Sequence, residues 1–131
     1  MSTRSSISVK QLDGSIKTVY CHFDGYHSHV GKMLLKHYNS QEQANAIVNL
    51  GDLSALHESI ECPQNHSYDE QITGYSVFYG RDRGEKDINA REYASFEKAM
   101  LRDSQEFDYY WDGSQWLVDE EVLTKEMTEE I

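Results

Sequence analysis

Two Asp-Gly pairs constrain the fold of this chain more than any other feature of its sequence. Asp13-Gly14 separates two short apolar runs near the N-terminus, and Asp112-Gly113 separates two more near the C-terminus. Asp-Gly is favoured in the tight turn of a β-hairpin, because glycine readily adopts the positive φ that such a turn requires. The pattern therefore predicts one β-hairpin at each end of the chain.

Three helices are predicted between these hairpins. Apolar residues at helical spacing predict the first helix from about His29 to Tyr38. Ser40 begins a capping-box pattern for the second helix, which Gly51 would end. Ser95 caps the third helix, "FEKAMLRD".

The remaining segments complete the predicted order of elements. "DLSALH" (52–57) predicts a short helical turn, 57–72 a polar loop, "TGYSVFYG" (73–80) a strand, and "RDRGEKDINARE" (81–92) a charged loop. The order ββααβαββ predicts a single α+β domain. In it, an antiparallel sheet of two hairpins plus a central strand carries about three helices on one side. This domain spans 1–118, and 119–131 form an acidic C-terminal tail that is helical or partly disordered.

The charge of the chain bears on its partners. Twelve basic and 23 acidic residues give a net charge of −11, which repels nucleic acid phosphates, so no direct binding of nucleic acid is expected. The tail holds six acids and one lysine, and therefore carries almost half of the net charge. Such a tail is typical of a solubilising segment. It is also compatible with an acidic interaction protein that mimics nucleic acid and inhibits a host nucleic-acid-binding protein.

The sequence also predicts the compartment. No segment approaches the roughly 18 apolar residues that cross a membrane, and the N-terminus lacks the apolar run of a secretory signal. Cys21 and Cys62 do not form a secreted disulfide framework, so we expect free thiols, with a single bridge between them as the alternative. These features predict a cytoplasmic protein that does not contact a membrane.

Three polar segments, each at or after a predicted strand, could converge on one ligand. They are "TRSS", "YCHFDGYHSH" and "YGRDRGE". Guanidinium groups bind phosphate or carboxylate through paired hydrogen bonds, tyrosine rings stack on bases, and aspartate accepts from ring amines or ribose hydroxyls. The combination predicts a pocket for a small anionic ligand. The candidate ligand-binding residues are Arg4, Tyr20, His22, Asp24, Tyr26, Arg81, Asp82 and Arg83.

Less specific interpretations of the same residues stay open. "RDR" is equally typical of a solvated charged loop, and Asp24-Gly25 of a turn. His22 with Asp24 could act as a base and its orienting group in a small phosphoesterase, although no catalytic motif accompanies the pair. A zinc site could use Cys62 and His66 with Cys21 and one of the histidines near the first helix, although the spacing is loose. No metal and no cofactor are predicted.

Several segments together resemble a known family. They are "TRSSISV", "VYCHFDGYHSHVGKMLLKHY", "NLGDLSAL", "YGRDRGE" and "YYWDGSQWLV". The combination resembles a family of small uncharacterised bacteriophage and bacterial proteins, whose members carry YCHWDGYP-like, GxxLLxHY-like and AYGRDRGE-like segments. The resemblance covers nearly all of 3–118 and leaves the tail outside. This chain differs in having Phe23 where tryptophan is usual and His27 where proline is usual.

The resemblance implies a phage-related protein in the cytoplasm of a host cell. It also favours one pocket, because the three polar segments chosen from composition are the family's hallmark segments. Small phage proteins often counter host defence, so the leading hypothesis is a non-enzymatic binder of a nucleotide-like signal. Such a counter-defence sponge holds the signal and withdraws it from the host. A homo-oligomer is compatible with the sequence, which does not fix the number of subunits.

Overall fold

The predicted N-terminal hairpin lies at the centre of the sheet in the computed structural model, which describes residues 2–129. Strands β1 (Ser5–Lys10) and β2 (Ile16–Cys21) pair antiparallel. Gly14 has a φ of 88° in the turn. The Asp13 carboxylate accepts hydrogen bonds from the Ser15 amide and hydroxyl. The turn therefore forms as the Asp-Gly pair predicts.

The second hairpin extends the sheet on the β1 side. It consists of β6 (Phe107–Trp111) and β7 (Trp116–Val118), and a two-residue strand β8 (Glu121–Val122) follows. β6 runs parallel to β1, with Ile7 opposite Tyr109. The two hairpins therefore share one sheet although the first ends at Cys21 and the second begins only at Phe107.

Three short strands lie on the β2 side. β3 (Leu53–Ala55) runs parallel to the end of β2, and β4 (Val77–Phe78) pairs antiparallel with β3. β5 (Arg91–Tyr93) pairs antiparallel with the beginning of β2. The sheet order is β4-β3-β2-β1-β6-β7-β8, with β5 beside β3 along the same edge of β2.

The first helices cover one face of the sheet. A π-helical turn (His27–Gly31) leads into α1 (Lys32–His37), and α2 (Gln41–Asn49) follows. Their apolar side chains pack on the inward residues of β1, β2, β6 and β7, which forms the main hydrophobic core. The fully buried core side chains include Ile7, Val9, Val19, Val30, Leu34, Ile47, Leu53, Phe78, Tyr109 and Trp116.

The remaining helices are short or lie elsewhere. α3 (Tyr79–Arg83) follows β4 directly, and α5 (Lys125–Thr128) comes near the end of the described chain. α4 (Phe96–Asp103) packs on the opposite face of the sheet, where Phe96 stacks on Tyr110 with ring centroids 4.2 Å apart. None of the helices in residues 2–129 is long and apolar enough to cross a membrane.

The α+β class and the single domain are confirmed, as are both hairpins and the Ser40 and Ser95 helix caps. Two details of the architecture differ from the prediction. The sheet is mixed rather than antiparallel, because β1–β6 and β2–β3 are parallel pairs. The helices occupy both faces, because α4 covers the face opposite α1 and α2.

Several local predictions were wrong. "DLSALH" contains strand β3 instead of a helical turn, because a buried run of three residues is too short for its periodicity to distinguish the two structures. The strand predicted in "TGYSVFYG" is limited to Val77–Phe78. The predicted charged loop contains part of α3 and the beginning of β5.

The described part of the acidic tail lies against the domain. Leu123 is buried, and its amide donates to the Trp116 carbonyl. Met127 packs against the main core, and α5 forms one turn of helix. Glu130 and Ile131 lie outside the described residues.

Candidate functional site

The candidate site begins with the alternation of side chains along β2. Val19 and Cys21 point into the main core, so Thr18 and Tyr20 point to the opposite face, and His22 continues that side just beyond the strand. Helix α4 covers the beginning of this face, where Thr18 is buried and bonds to the Ser8 hydroxyl. Tyr20 and His22 remain partly exposed beyond the helix.

Three ring side chains follow one another at the end of β2. The Tyr20 hydroxyl lies 2.6 Å from His22 Nδ1, and their ring centroids are 5.8 Å apart. Phe23 meets the His22 ring edge to face at 4.5 Å. Phe23 is 39% exposed, so its ring is accessible from solvent.

Two more rings come from the β3–β4 side of the same face. The Tyr79 ring lies 6.1 Å from that of Tyr68. Burial raises the pKa of Tyr79 above its ordinary value, a hydrogen bond with Ser54 opposes the shift, and neighbouring Tyr68 and Tyr20 increase it. The five rings of Phe23, His22, Tyr20, Tyr79 and Tyr68 are called the aromatic row below.

Asp52 fixes the position of Tyr20 within the row. Its carboxylate accepts from the Tyr20 amide at 2.8 Å and from the Arg91 guanidinium at 3.0 Å. The Asp52 carbonyl also accepts from the Tyr79 amide. One residue of the chain between α2 and β3 therefore holds two rings of the row at fixed backbone positions.

Two exposed arginines flank the aromatic row. The Arg83 guanidinium lies over the Tyr68 ring, 4.6 Å from its centroid. Partial burial raises the pKa of Tyr20 above its ordinary value, and the positive charge of nearby Arg4 opposes that shift. Both arginine side chains are exposed, so their N–H groups can reach an anion in solvent.

Arg81 and Asp82, by contrast, are turned inward. The Asp82 carboxylate has no exposed side-chain surface and receives two hydrogen bonds from Arg81, at 2.8 and 3.0 Å, and one from the Phe78 amide at 2.8 Å. Arg81 also donates to the carbonyls of Ile60 and Ser76. These bonds connect the segment between β3 and β4, which contains the polar loop, to α3. We call the Arg81–Asp82 pair with its partners the loop clamp.

His66 completes the loop clamp. Its Nδ1 accepts the Ile72 amide at 3.0 Å, so Nε2 carries the proton of the neutral ring and donates to the Ser76 carbonyl at 3.0 Å. Burial raises the pKa of Asp82, but the bonds from Arg81 and Phe78 outweigh it and hold that pKa below the ordinary carboxyl value. The interpretation of "RDR" as one solvated loop was wrong, since two of its three residues are largely buried.

Asp24 and Tyr26 lie beside two histidines and are not part of the loop clamp. The Tyr26 hydroxyl donates to the Asp24 carboxylate at 3.2 Å, and the Tyr26 ring approaches that of His29. His29 in turn meets His57 at 5.3 Å between ring centroids. Asp24 has a φ of 56° in a turn whose next residue, Gly25, has no room for a Cβ beside the Thr3 carbonyl. Asp24-Gly25 is thus a turn, as predicted by the less specific interpretation of these residues.

The eight predicted residues therefore do not form one pocket. The structure places Tyr20 and His22 in the aromatic row and Arg83 over its Tyr68 ring, and the charge of Arg4 lies near Tyr20. It uses Arg81 and Asp82 in the loop clamp and places Asp24 and Tyr26 beside the histidines. Phe23, Tyr68 and Tyr79 were missed. Tyr79 could have been found from strand alternation after Phe78, whereas nothing in the sequence of the polar loop marks Tyr68.

The catalytic and metal alternatives also change. His22 pairs with Tyr20 rather than with Asp24, so the proposed base and its orienting group are not assembled. Both cysteines are free, and burial raises the pKa of Cys21 to about 12. Among residues 2–129, no three histidine, cysteine or acidic side chains cluster as metal ligands would.

No protein-family model, curated protein or solved structure matches this chain significantly. The resemblance to the phage family therefore stays a prediction, and the function has to be argued from the chemistry of the aromatic row.

Proposed function

We propose that the protein is a non-enzymatic binder of a small anionic, nucleotide-like ligand, which it holds on the aromatic row between Arg4 and Arg83. The observation that carries this proposal is two groups of partly exposed rings, Phe23–His22–Tyr20 and Tyr79–Tyr68, with the Arg83 guanidinium over Tyr68. The positive charge of exposed Arg4 lies near Tyr20. In a host cell, such a binder would act as a counter-defence sponge in the cytoplasm.

The aromatic row suits a nucleobase. Stacking of a base on an aromatic side chain contributes about 1–3 kcal/mol, and it tolerates different bases because each has a π-face. The Tyr20 hydroxyl bonds to His22 and the Tyr79 hydroxyl to Ser54, so these rings are already oriented and little side-chain entropy would be lost when a base stacks on them.

The two arginines suit the phosphate. The chain carries a charge of −11, so long-range attraction does not bring an anion to this surface. Local guanidinium groups must therefore supply the affinity, and they do so through paired hydrogen bonds to phosphate oxygens. Arg83 is held over Tyr68 by its stacking contact, so its N–H edge is already oriented.

Binding is favoured over hydrolysis by the partners of His22. The hypothesis of a phosphoesterase relied on Asp24 as the group that orients His22, and the His22 Nδ1 instead contacts the Tyr20 hydroxyl, while the Asp24 carboxylate accepts from Tyr26. The contact with Tyr20 fixes the imidazole as part of the row, where it supports the neighbouring rings.

Native mass spectrometry of the purified protein tests the proposal, followed by the same measurement after denaturation. We expect the native protein to retain a small mass that denaturation releases and that absorbs near 260 nm. Arg83→Ala should lose it while remaining folded. Arg102→Ala is the matched control, because Arg102 is an exposed arginine on α4 and has no ring of the row as a stacking partner among the described contacts.

If wild-type protein carries no ligand, calorimetric titration with a panel of mononucleotides and cyclic dinucleotides replaces the first measurement. Saturable binding that Arg83→Ala weakens at least tenfold supports the proposal. No binding across the panel, or equal binding by Arg83→Ala and wild type, would overturn it.

A further inference from the structure

A cavity lies between α1 and α5, and no residue of the aromatic row lines it. Its volume is about 320 Å³, at the lower end of the range for small-molecule sites. Three residues come from one face of α1 at i, i+3 and i+4 spacing, and three from the segment around α5. The lining residues are Lys32, Leu35, Lys36, Leu123, Lys125 and Thr128.

The charge of this lining is opposite to that of the protein. Three of the seven lysines in the sequence surround the cavity. In the part of the chain that the structure describes, no aspartate or glutamate lines it, although the sequence holds 23 acids. The cavity is therefore a basic site on an acidic protein.

The floor of the cavity is aliphatic. Leu35 is half-buried and Leu123 is buried. The Leu123 amide donates a hydrogen bond of 3.0 Å to the Trp116 carbonyl, which fixes the position of Leu123. Thr128 bonds to the Lys125 carbonyl, so its methyl group is left to line the wall. An apolar ligand body would thus displace water from leucine and threonine methyl surface.

Among residues 2–129, one carboxylate forms an ion pair with a lysine of the cavity. Glu129 lies 3.9 Å from the Lys125 ammonium, but the two side chains are 60% and 81% exposed. An ion pair in that setting contributes little stability and is screened by salt. Lys32 and Lys36 have no salt-bridge partner among residues 2–129.

We propose that this cavity binds a small amphipathic carboxylate, with its alkyl chain on Leu35 and Leu123 and its head group between Lys32 and Lys36. A nucleotide fits less well here, since none of the described residues that line the cavity has a ring, and lysine offers a point charge rather than a guanidinium fork. The site is thus independent of the aromatic row in position and in ligand chemistry.

Calorimetric titration with straight-chain carboxylates of six, eight and ten carbons tests this proposal. We expect saturable 1:1 binding of decanoate, tighter by up to about fourfold for each methylene added along the series. The double variant Lys32→Gln, Lys36→Gln should bind decanoate about tenfold more weakly. The matched control is Lys86→Gln, Lys98→Gln, which removes two exposed lysines outside the cavity and should bind like wild type.

Three results would overturn the proposal. They are the absence of saturable decanoate binding, equal affinity of the two double variants, and an affinity independent of chain length. Arg83→Ala should bind decanoate normally, which separates this site from the proposed function. If Arg83→Ala lost decanoate as well, decanoate would be binding at the aromatic row and the cavity assignment would be wrong.

Discussion

Arg81 and Arg83 stand two residues apart on α3, yet their environments differ completely. Arg81 points into the loop clamp, where it neutralises a carboxylate without exposed surface and bonds to two backbone carbonyls. Arg83 points outward and lies over Tyr68 at the end of the aromatic row. The same residue type thus stabilises the fold in one case and is available for a ligand in the other.

The difference arises from a helix of only five residues. Residues two apart on a helix lie on different sides, so one arginine of "RDR" must face the loop if the other faces solvent. Gly84 ends the helix with a φ of 77°, which stops it before a second turn can form. The "RDR" motif therefore contains both the buried Arg81–Asp82 ion pair and the exposed guanidinium of Arg83.

The largest effect is expected from breaking the loop clamp. Arg81→Ala leaves the Asp82 carboxylate buried without its cation and the Ile60 carbonyl without its side-chain donor, whereas the Ser76 carbonyl keeps the bond from His66. Removing one partner of a buried pair costs about 3–5 kcal/mol, and we expect about 3 because the Arg81 side chain retains 22% exposure. Urea unfolding measures this loss. Arg83→Ala is the control and should change the free energy of unfolding by less than about 0.5 kcal/mol.

If the two variants were equally stable, the contrast between the two arginines would be wrong. A large loss of stability in Arg83→Ala alone would reverse it.

Acid should weaken the same clamp. The folded-state pKa of Asp82 is lowered from 3.8, so its contribution to stability is complete above that value and is lost as the pH falls through the lower folded-state pKa. The free energy of unfolding should therefore decline as the pH falls below the ordinary carboxyl pKa of 3.8, and less steeply in Asp82→Asn than in wild type. Asp69→Asn removes an exposed aspartate as the control and should keep the wild-type slope. Identical slopes in all three proteins would contradict the clamp.

The smallest effect is expected within the aromatic row. Tyr20→Phe keeps the ring and removes the hydroxyl that contacts His22 Nδ1. A partly buried hydrogen bond contributes about 0.5–1.5 kcal/mol to stability, so the free energy of unfolding should fall by that amount in Tyr20→Phe. Thermal unfolding by circular dichroism gives the change. A loss of 3 kcal/mol or more would show that the row is a structural element comparable to the loop clamp.

Sequence reasoning predicted what depends on local chemistry. The Asp-Gly turns and the Ser40 and Ser95 caps are decided within four residues, and all four formed as predicted. The parallel pairing of β1 with β6 was not predictable, because it joins segments about a hundred residues apart.

The candidate site was predictable only where it depends on local alternation along a strand. Tyr20 and His22 follow from strand alternation along β2. The role of Arg81 depends on the carbonyls of Ile60 and Ser76, which the fold alone brings to it. Tyr68 reaches the row from a loop without periodicity, so only the structure reveals it.

An NMR titration with adenosine and guanosine 5′-monophosphate, in wild type and Arg83→Ala, tests the central claim most directly. We expect shift changes centred on Phe23, His22, Tyr20, Tyr68 and Tyr79, with no change at Arg81 or Asp82, and weaker changes in the variant. Shifts centred elsewhere, or none with either nucleotide, would contradict the claim that the aromatic row binds a nucleotide-like anion.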